Sequence, residues 1–525
     1  MQPTFLGFQT ASRALAASKA NIDLTGNNIA NVNTEGYSRQ RVDLTSISAS
    51  GYTQKYTVPG ATVGLGVDVS KISQTRDPFL DSRFRLQNAE AAQYNTLLSG
   101  LSDLESVFDE VENEGLQSEL SNFINQLQTL SQSPTSPDFS VIVRTAAQKV
   151  TQILNMYADQ TEQVRQQQIY DLKNVVIDNS FNVTVENIAT LNKQIRDEVT
   201  HGNVPNELYD KRNTLIDKLS GIANIRVTTT PEKISEGLTI ENLNISLYDS
   251  KTGTSIGIVS NGLYNTFSVN QKQEALAIEI NSSFGDHTAK DVTSFFSAGS
   301  IKGYLDIING KGTYADAATS ENSFRGTLYY KASMDTFANN FAATLNQLNK
   351  GGGATDKPLF ASSINPASPK IGAGDIKISD EWMSNPSQIT TTTSTAQTGG
   401  ADNVLRMISA ISSKMSFYKD PLIDPTKIPL DPSDVLFEGT VNEFMSGLAG
   451  ELALDKELNA NFSDTASSVL YSLSDARDSI SGVSLDEEGV NLLAYQKSYN
   501  AAARYFTVLD EAVNTIINNM GIVGR

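Results

Sequence analysis

Apolar residues recur every seven positions toward both ends of this chain. Phe8, Leu15, Ile22 and Ile29 are spaced by seven, with small Ala11, Ser18 and Thr25 in the alternate seam position. Toward the other end Leu492, Tyr495, Tyr499, Ala502, Phe506, Leu509, Val513, Ile516 and Met520 alternate steps of three and four. Such spacing lays one narrow apolar stripe along a helix and buries it against another helix. Small seam residues facing bulky ones interdigitate. The two stripes therefore predict an assembly seam, in which the ends pack on each other or on a second copy.

The intervening pattern changes its period more than once. Asn27, Asn28, Asn31 and Asn33, then Glu35-Gly36, stop the first helix, because Asn and Gly tolerate left-handed backbone. Val42 and Leu44, then Val67 and Val69, alternate and predict a hairpin-like excursion. Asp77-Pro78 opens a long helical region. Its seams run through Leu97, Leu101, Leu104, Phe108 and Val111, and through Leu116, Leu120, Phe123, Leu127 and Leu130. Ser133 to Pro137 breaks the pattern. A third seam follows from Val143 through Ala147, Val150, Leu154, Tyr157 and Thr161 to Val164. Periodicity continues through Ile188, Leu191 and Ile195 to Leu208, Leu215 and Leu219, with Gly221 in the place of a helix C-cap. Residues 77–221 read as an antiparallel helical bundle.

From Ile222 the period becomes two. Leu243, Ile245 and Leu247 alternate, Asp249 to Gly253 reads as a turn, and Ile256 and Ile258 precede the strong hairpin signal Asn261-Gly262. Phe267 and Val269, then Leu276, Ile278 and Ile280, add two strands. Helical spacing returns through Met334, Phe337, Phe341 and Leu345. Residues 351–401 read as mixed strand and loop around Trp382, residues 402–418 as a helix, and 421–432 as a loop. From Val441 the chain is helical again, with a seam at Ala466, Val469, Leu473, Ala476, Ile480 and Val483. Ser484 and Glu487 have capping-box spacing at the start of the last helix.

The fold class is therefore α+β, multidomain and elongated, with discontinuous terminal coiled-coil helices, an antiparallel helical bundle and an inserted β-rich outer domain. The expected units are 1–75 with 484–525, 76–221 with 321–350 and 402–483, a dispensable module at 222–320, and 351–401.

Charge and composition narrow the function more than they define it. A net charge of −19 disfavours nucleic acid and anionic lipid as partners. No run approaches the roughly 20 apolar residues of a membrane helix. Arg13 and Lys19 interrupt the first stripe, so no cleaved secretory signal is expected. Zero cysteines exclude disulfides and thiolate chemistry. The only histidines, His201 and His287, lie far apart in polar contexts. Gly310-Lys311-Gly312-Thr313 lacks the preceding glycine of a phosphate loop, Gly64-Leu65-Gly66 fails as a dinucleotide motif, and Gly351 to Gly353 reads as a joint. Asp109, Glu110, Glu112 and Glu114 read as a solvated helix end. Asp486, Glu487 and Glu488 suit a helix N-terminus. No catalytic, cofactor or metal residues are expected. Paired carboxylates keep a cell-wall hydrolase as one alternative, and a secreted adhesin using the β-rich insert is another.

Asn27-Asn28-Ile29-Ala30-Asn31-Val32-Asn33-Thr34-Glu35-Gly36-Tyr37 resembles the N-terminal signature of bacterial flagellar rod, hook and hook-associated proteins. The continuation Ser38-Arg39-Gln40 resembles the hook-associated protein 1 (FlgK) family more than rod or hook proteins. Gly66-Val67-Asp68-Val69 with Arg76-Asp77-Pro78-Phe79-Leu80, Leu208-Tyr209-Asp210-Lys211-Arg212, and Ser481 to Glu488 with Tyr495-Gln496 and Ala501 to Arg504 also fit that family. Glu35 stands where the family often has Pro. The resemblance implies an extracellular structural protein at the junction of flagellar hook and filament, exported without a cleaved signal. Its implied partners are itself in a helical ring, the hook protein, the next hook-associated protein, and an export chaperone on the C-terminal helix. Before assembly the terminal segments are expected to be largely disordered, so that ordering couples folding to docking.

Overall fold

The computed structural model describes residues 5–47, 64–108, 115–235, 238–249, 252–272, 274–285, 291–315, 322–351, 357–366, 368, 370–393, 399–418 and 435–519. Val111, the acidic run 109–114, His287, the stretch 421–432 and Met520 lie outside them.

Helix α1 (Phe5–Ala30) ends within the Asn-rich run, two residues after Asn28. Strands β1 (Gln40–Ser46) and β2 (Val67–Gln74) pair antiparallel, Leu44 opposite Val69, as the alternation predicts. α2 (Pro78–Phe108) starts at the expected Pro, with Asp77 Oδ1 accepting the Phe79 amide at 2.8 Å. α3 (Leu116–Gln132) and α4 (Pro137–Tyr170) flank the expected break. α4 runs through a π-helical segment (Asp171–Asn182) into α5 (Val183–Thr200), and α6 (Asn206–Ile222) follows. The π-helical segment was not foreseen. Within it the buried residues Leu172, Ile177 and Phe181 are spaced by five and four, a wider turn than an α-helix provides. Gly221 does not cap α6. It lies within the last turn, where a Cβ would stand 3.1 Å from the Asn88 side chain of α2.

Strands β3 (Ile225–Ser235), β4 (Leu238–Tyr248), β5 (Ser255–Ser260) and β6 (Leu263–Tyr264) form one antiparallel sheet in that order. The Asn261-Gly262 hairpin forms as expected, pairing Ser260 with Leu263. β7 (Thr266–Lys272) pairs with β8 (Ala275–Asn281). Then come α7 (Ser300–Asn309), α8 (Thr327–Asn349), the strand pair β9 (Phe360–Ser362) and β10 (Ile376–Ile378), α9 (Asp380–Ser384) and α10 (Asp402–Ser412). The helix expected over 402–418 stops at Ser412, and β11 (Met415–Tyr418) pairs instead with β12 (Val435–Gly439). α11 (Val441–Ser481) and α12 (Leu485–Asn519) complete the chain.

Two apolar cores organise these elements. The first joins the predicted seams of α2, α3 and α4 to α8, α10 and the start of α11. It takes in Phe360, Ile376 and the fully buried Trp382, so the mixed strand-and-loop segment packs into the helices. The second joins Leu172, Phe181, Ile188 and Ile216 to Leu243, Ile245, Ile258, Phe267 and Ile278. Phe181 meets Phe267 and Phe296 edge-on, with centroids 5.1 and 6.2 Å apart. The segment expected as a dispensable module at 222–320 shares this core with the helices: its strands and α7 bury apolar faces together with residues of 172–222. The seam expected along the end of α11 is also only partly closed, since Ala466 and Leu473 are buried whereas Val469 and Ile480 are exposed.

Candidate assembly interface and its anchoring hub

The two heptad stripes meet within one chain. α1 and α12 pack antiparallel: Phe8 lies edge-on to Phe506 with centroids 5.1 Å apart, and Ser18 Oγ donates to Ser498 Oγ at 3.2 Å. Gly7 faces Leu509 so closely that a Cβ would stand 3.1 Å from its methyl. The small positions are the deepest, with Ala11, Ser18 and Thr25 all buried. Bulky Leu15, Ile22 and Ile29 on α1, and Leu492, Leu509 and Val513 on α12, are half-buried, while Tyr499, Phe506 and Ile516 are more than a third exposed. Within the chain each terminal helix therefore has the other as a packing partner.

This pairing covers one side of α12 only. Val490, Leu493 and Val508 are 68, 59 and 60 % exposed, and exposed Ala494, Ala501 and Ala512 lie toward the same side of the helix, whereas the Tyr505 hydroxyl turns toward Gly7 of α1. Sequence reading missed this second stripe because Lys497 and Arg504 interrupt it. Its signal was the helical recurrence of Val490, Ala494, Ala501 and Val508.

The signature residues anchor the pair to the body. Asn28 is buried; its Nδ2 donates to Gln40 O at 3.0 Å and to Glu488 Oε2 at 3.4 Å, and its Oδ1 accepts the Gln40 amide and the Tyr37 hydroxyl. Arg39 pairs with Glu487 and with the buried Glu488, both at 2.8 Å, while its amide donates to Ser481 O. Glu487 therefore turns to Arg39 instead of closing the expected capping box; only the Ser484 half forms, at 3.4 Å. Gln40 Oε1 accepts from Asn206 at the start of α6. Gly36 adopts φ +76°, and a Cβ there would stand 2.2 Å from Thr214 Oγ1. Asn27 and Asn31 serve locally at the helix end, where Asn31 Nδ2 donates to Asn27 O, and Asn33 is exposed in the turn that follows.

Beneath the signature lies a charge network. The Ser38 amide donates to Asp210 Oδ2 at 3.2 Å, and Arg76 donates to Ser38 Oγ and grips Asp81 through two nitrogens at 2.9 and 3.1 Å. Arg477 of α11 reaches Asp217 at 2.6 Å, Asp217 also holds Arg85 at 2.7 Å, and the Arg477 guanidinium stacks 4.0 Å over Phe84. Burial pushes the Asp210 carboxyl up, against the pull of Ser38 and Arg76. Burial and the charges of Asp210, Glu207 and Glu488 push the Tyr37 phenol up to about 12. Mutual neutralisation and hydrogen bonding make such a network tolerable in a partly dry setting. It holds structure; an open depression of about 610 Å³ beside it is lined by Asn27, Gln40, Asn206 and Glu207. Among the described residues there is no group of His, Asp and Glu placed to hold a metal, and exposed His201 contacts only its own helix. None of the described helices is long and apolar enough to cross a membrane.

An α+β body thus carries an antiparallel terminal helix pair, tied down by the Asn-rich signature. Residues 101–360 match the family described as flagellar hook-associated protein FlgK helical domain, and residues 8–37 match the flagella basal body rod protein family. Flagellar hook-associated protein 1 of Bacillus subtilis (strain 168) is 30 % identical over 534 residues, covering all of both chains. The solved flagellar hook junction protein FlgK from Burkholderia pseudomallei superposes with a TM-score of 0.54 at 12 % identity, covering 76 % of this chain and 100 % of the other. The chain belongs to the flagellar hook-associated protein 1 family. It is a structural protein, not an enzyme.

Proposed function

We propose that this protein forms the junction between flagellar hook and filament, with copies adding helically through the α12 face that the terminal pair leaves uncovered. The exposed stripe of Val490, Leu493 and Val508 carries this reading. Exposed apolar side chains flanking Lys497 and Arg504 along one side of α12 offer an interaction surface. Contact of that face with a different surface of the next copy is heterologous, and heterologous contacts that do not close build helices. The axial unit comprises residues 1–75 with 484–525. The bundle of 76–221 with 321–350 and 402–483, and the segments 222–320 and 351–401, lie outside it. The partners are the hook protein on one side and the next hook-associated protein on the other. A soluble export chaperone covers the C-terminal helix before export, which proceeds without a cleaved signal to a site outside the cell. Substituting Leu493→Asp together with Val508→Asp tests the reading. Both side chains are exposed, so helicity and melting should persist while filaments are lost and hooks remain. Normal filaments in the double variant would refute it.

A further inference from the structure

On α11 the apolar residues Leu454, Leu458, Phe462, Val469 and Ile480 follow at steps of four, four, seven and eleven, which puts them on one helical face. All five are exposed. α2 covers the neighbouring face: Asn95 accepts from Ser463 at 2.7 Å, and the Tyr94 ring lies 5.3 Å from Phe462. Between the two helices Tyr94, Leu97, Leu458 and Phe462 help to line an open depression of about 520 Å³. The chain's own α12 does not fill it, since α12 packs on α1. Among the described residues, no element other than α12 exposes as many large apolar side chains as α11.

The charges beside the two stripes match. Between Val490 and Val508 the only charged residues of α12 are Lys497 and Arg504, seven apart. On the solvent side of the α11 stripe stand exposed Glu457 and Asp464, also seven apart. The nearest cations along α11, Lys456 and Arg477, are taken up by Glu105 and Asp217. None of the four matched groups is in an ion pair among the described residues. Equal spacing lets two cations meet two carboxylates in one register while the apolar rows close beside them. Two α12 faces meeting each other would instead bring cations against cations. The distribution of net charge favours the same pairing. Residues 1–75 with 484–525 carry nine basic and nine acidic side chains, so the whole −19 lies on residues 76–483. Bodies repel one another, whereas a neutral axial part approaches an acidic body freely.

We propose that the open face of α12 in one copy docks along the α11 stripe of a second copy, with Lys497 and Arg504 meeting Glu457 and Asp464. This rests on the reading that copies join through α12, and adds the surface that receives it. The contact joins two different surfaces, as an assembly that does not close requires.

The chain has no cysteine, so disulfide trapping between engineered cysteines tests the contact without background. Full-length Leu493→Cys and tagged full-length Leu458→Cys are mixed under oxidising conditions, at a concentration that gives oligomers. Both positions are exposed, so each variant should melt as wild type does. The mixed dimer should form in clear excess over either homodimer. Glu457→Lys with Asp464→Lys in the Leu458→Cys protein should cut its yield about tenfold, and Lys497→Glu with Arg504→Glu in the other protein should restore it. An unchanged yield on charge reversal, or a loss without rescue, would overturn the proposal. A Leu493→Cys homodimer in place of the mixed one would keep α12 as the joining face and overturn its docking on α11. Oligomers with no link through position 493 would remove both readings.

Discussion

Arg39 shows how a single side chain ties the terminal pair to the body. It faces Glu488, whose side chain is 3 % exposed. Removing the guanidinium leaves that carboxylate buried and uncompensated. Arg39→Ala should cost about 2–3 kcal/mol, somewhat below the range for a fully buried pair because Arg39 retains a quarter of its exposure. Adding Glu488→Gln should recover part of the loss, and denaturant titration of the single and double variants measures both. Tyr37 gives a pH test. Its phenol is pushed from 10.0 to about 12, so between those values the unfolded chain releases a proton that the folded chain keeps. Stability contributed by Tyr37 is therefore whole below about pH 10 and is lost as pH rises toward 12. The stability gap between wild type and Tyr37→Phe should narrow across that interval; a gap that is constant or widens would contradict the assignment. None of this was legible from local pattern. The run Asn27 to Asn33 reads correctly as a helix stop, but the partners that make Asn28 a hub lie 12 and 460 positions away.

At the scale of elements the sequence was clearest where one period held. The seams of α2, α3 and α4 are buried as read, and the hairpins at Leu44–Val69 and Asn261-Gly262 form. Reading failed where a tertiary partner set the conformation. The π-helical segment keeps Leu172, Ile177 and Phe181 on one side, and Asn182 fixes its end by exchanging hydrogen bonds with the Phe267 backbone at 2.9 Å. Nothing in a 3.6-residue period announces that. The strands of 225–281 likewise alternate because one face rests on helices, which period alone does not reveal. Deleting residues 225–298 should therefore strip the apolar faces of Leu172, Phe181, Ile188 and Ile216. Cooperative melting of α5 and α6 should disappear, and the fragment should bind hydrophobic dyes. Phe181→Ala should itself cost about 3–5 kcal/mol, the usual loss for a buried aromatic, read from the shift of the denaturation midpoint. A deletion variant that melts as sharply as the parent would show that the helices hold their own core.

For the whole molecule, charge and apolar surface act in opposite directions. The net charge of −19 makes copies repel, over a range of about 30 Å at 0.01 M salt, falling to about 3 Å at 1 M. Against this stands the uncovered stripe of α12, whose attraction is short-ranged and indifferent to screening. Because α1 already fills the seam side of α12, association does not have to wait for the terminal helices to fold; it waits for repulsion to be screened. The chain should sediment as a monomer at low salt with its terminal pair formed, and larger species should appear as salt is raised. Two variants separate the two faces of α12. Val508→Asp places a charge on the open face and should abolish salt-induced association while leaving helicity intact. Leu509→Asp places it against Gly7 in the seam and should instead loosen the pair, seen as faster amide exchange along α1 and α12 together. If Val508→Asp associates as readily as wild type, the open stripe is not the surface through which copies meet, and the junction must be built from another face of the molecule.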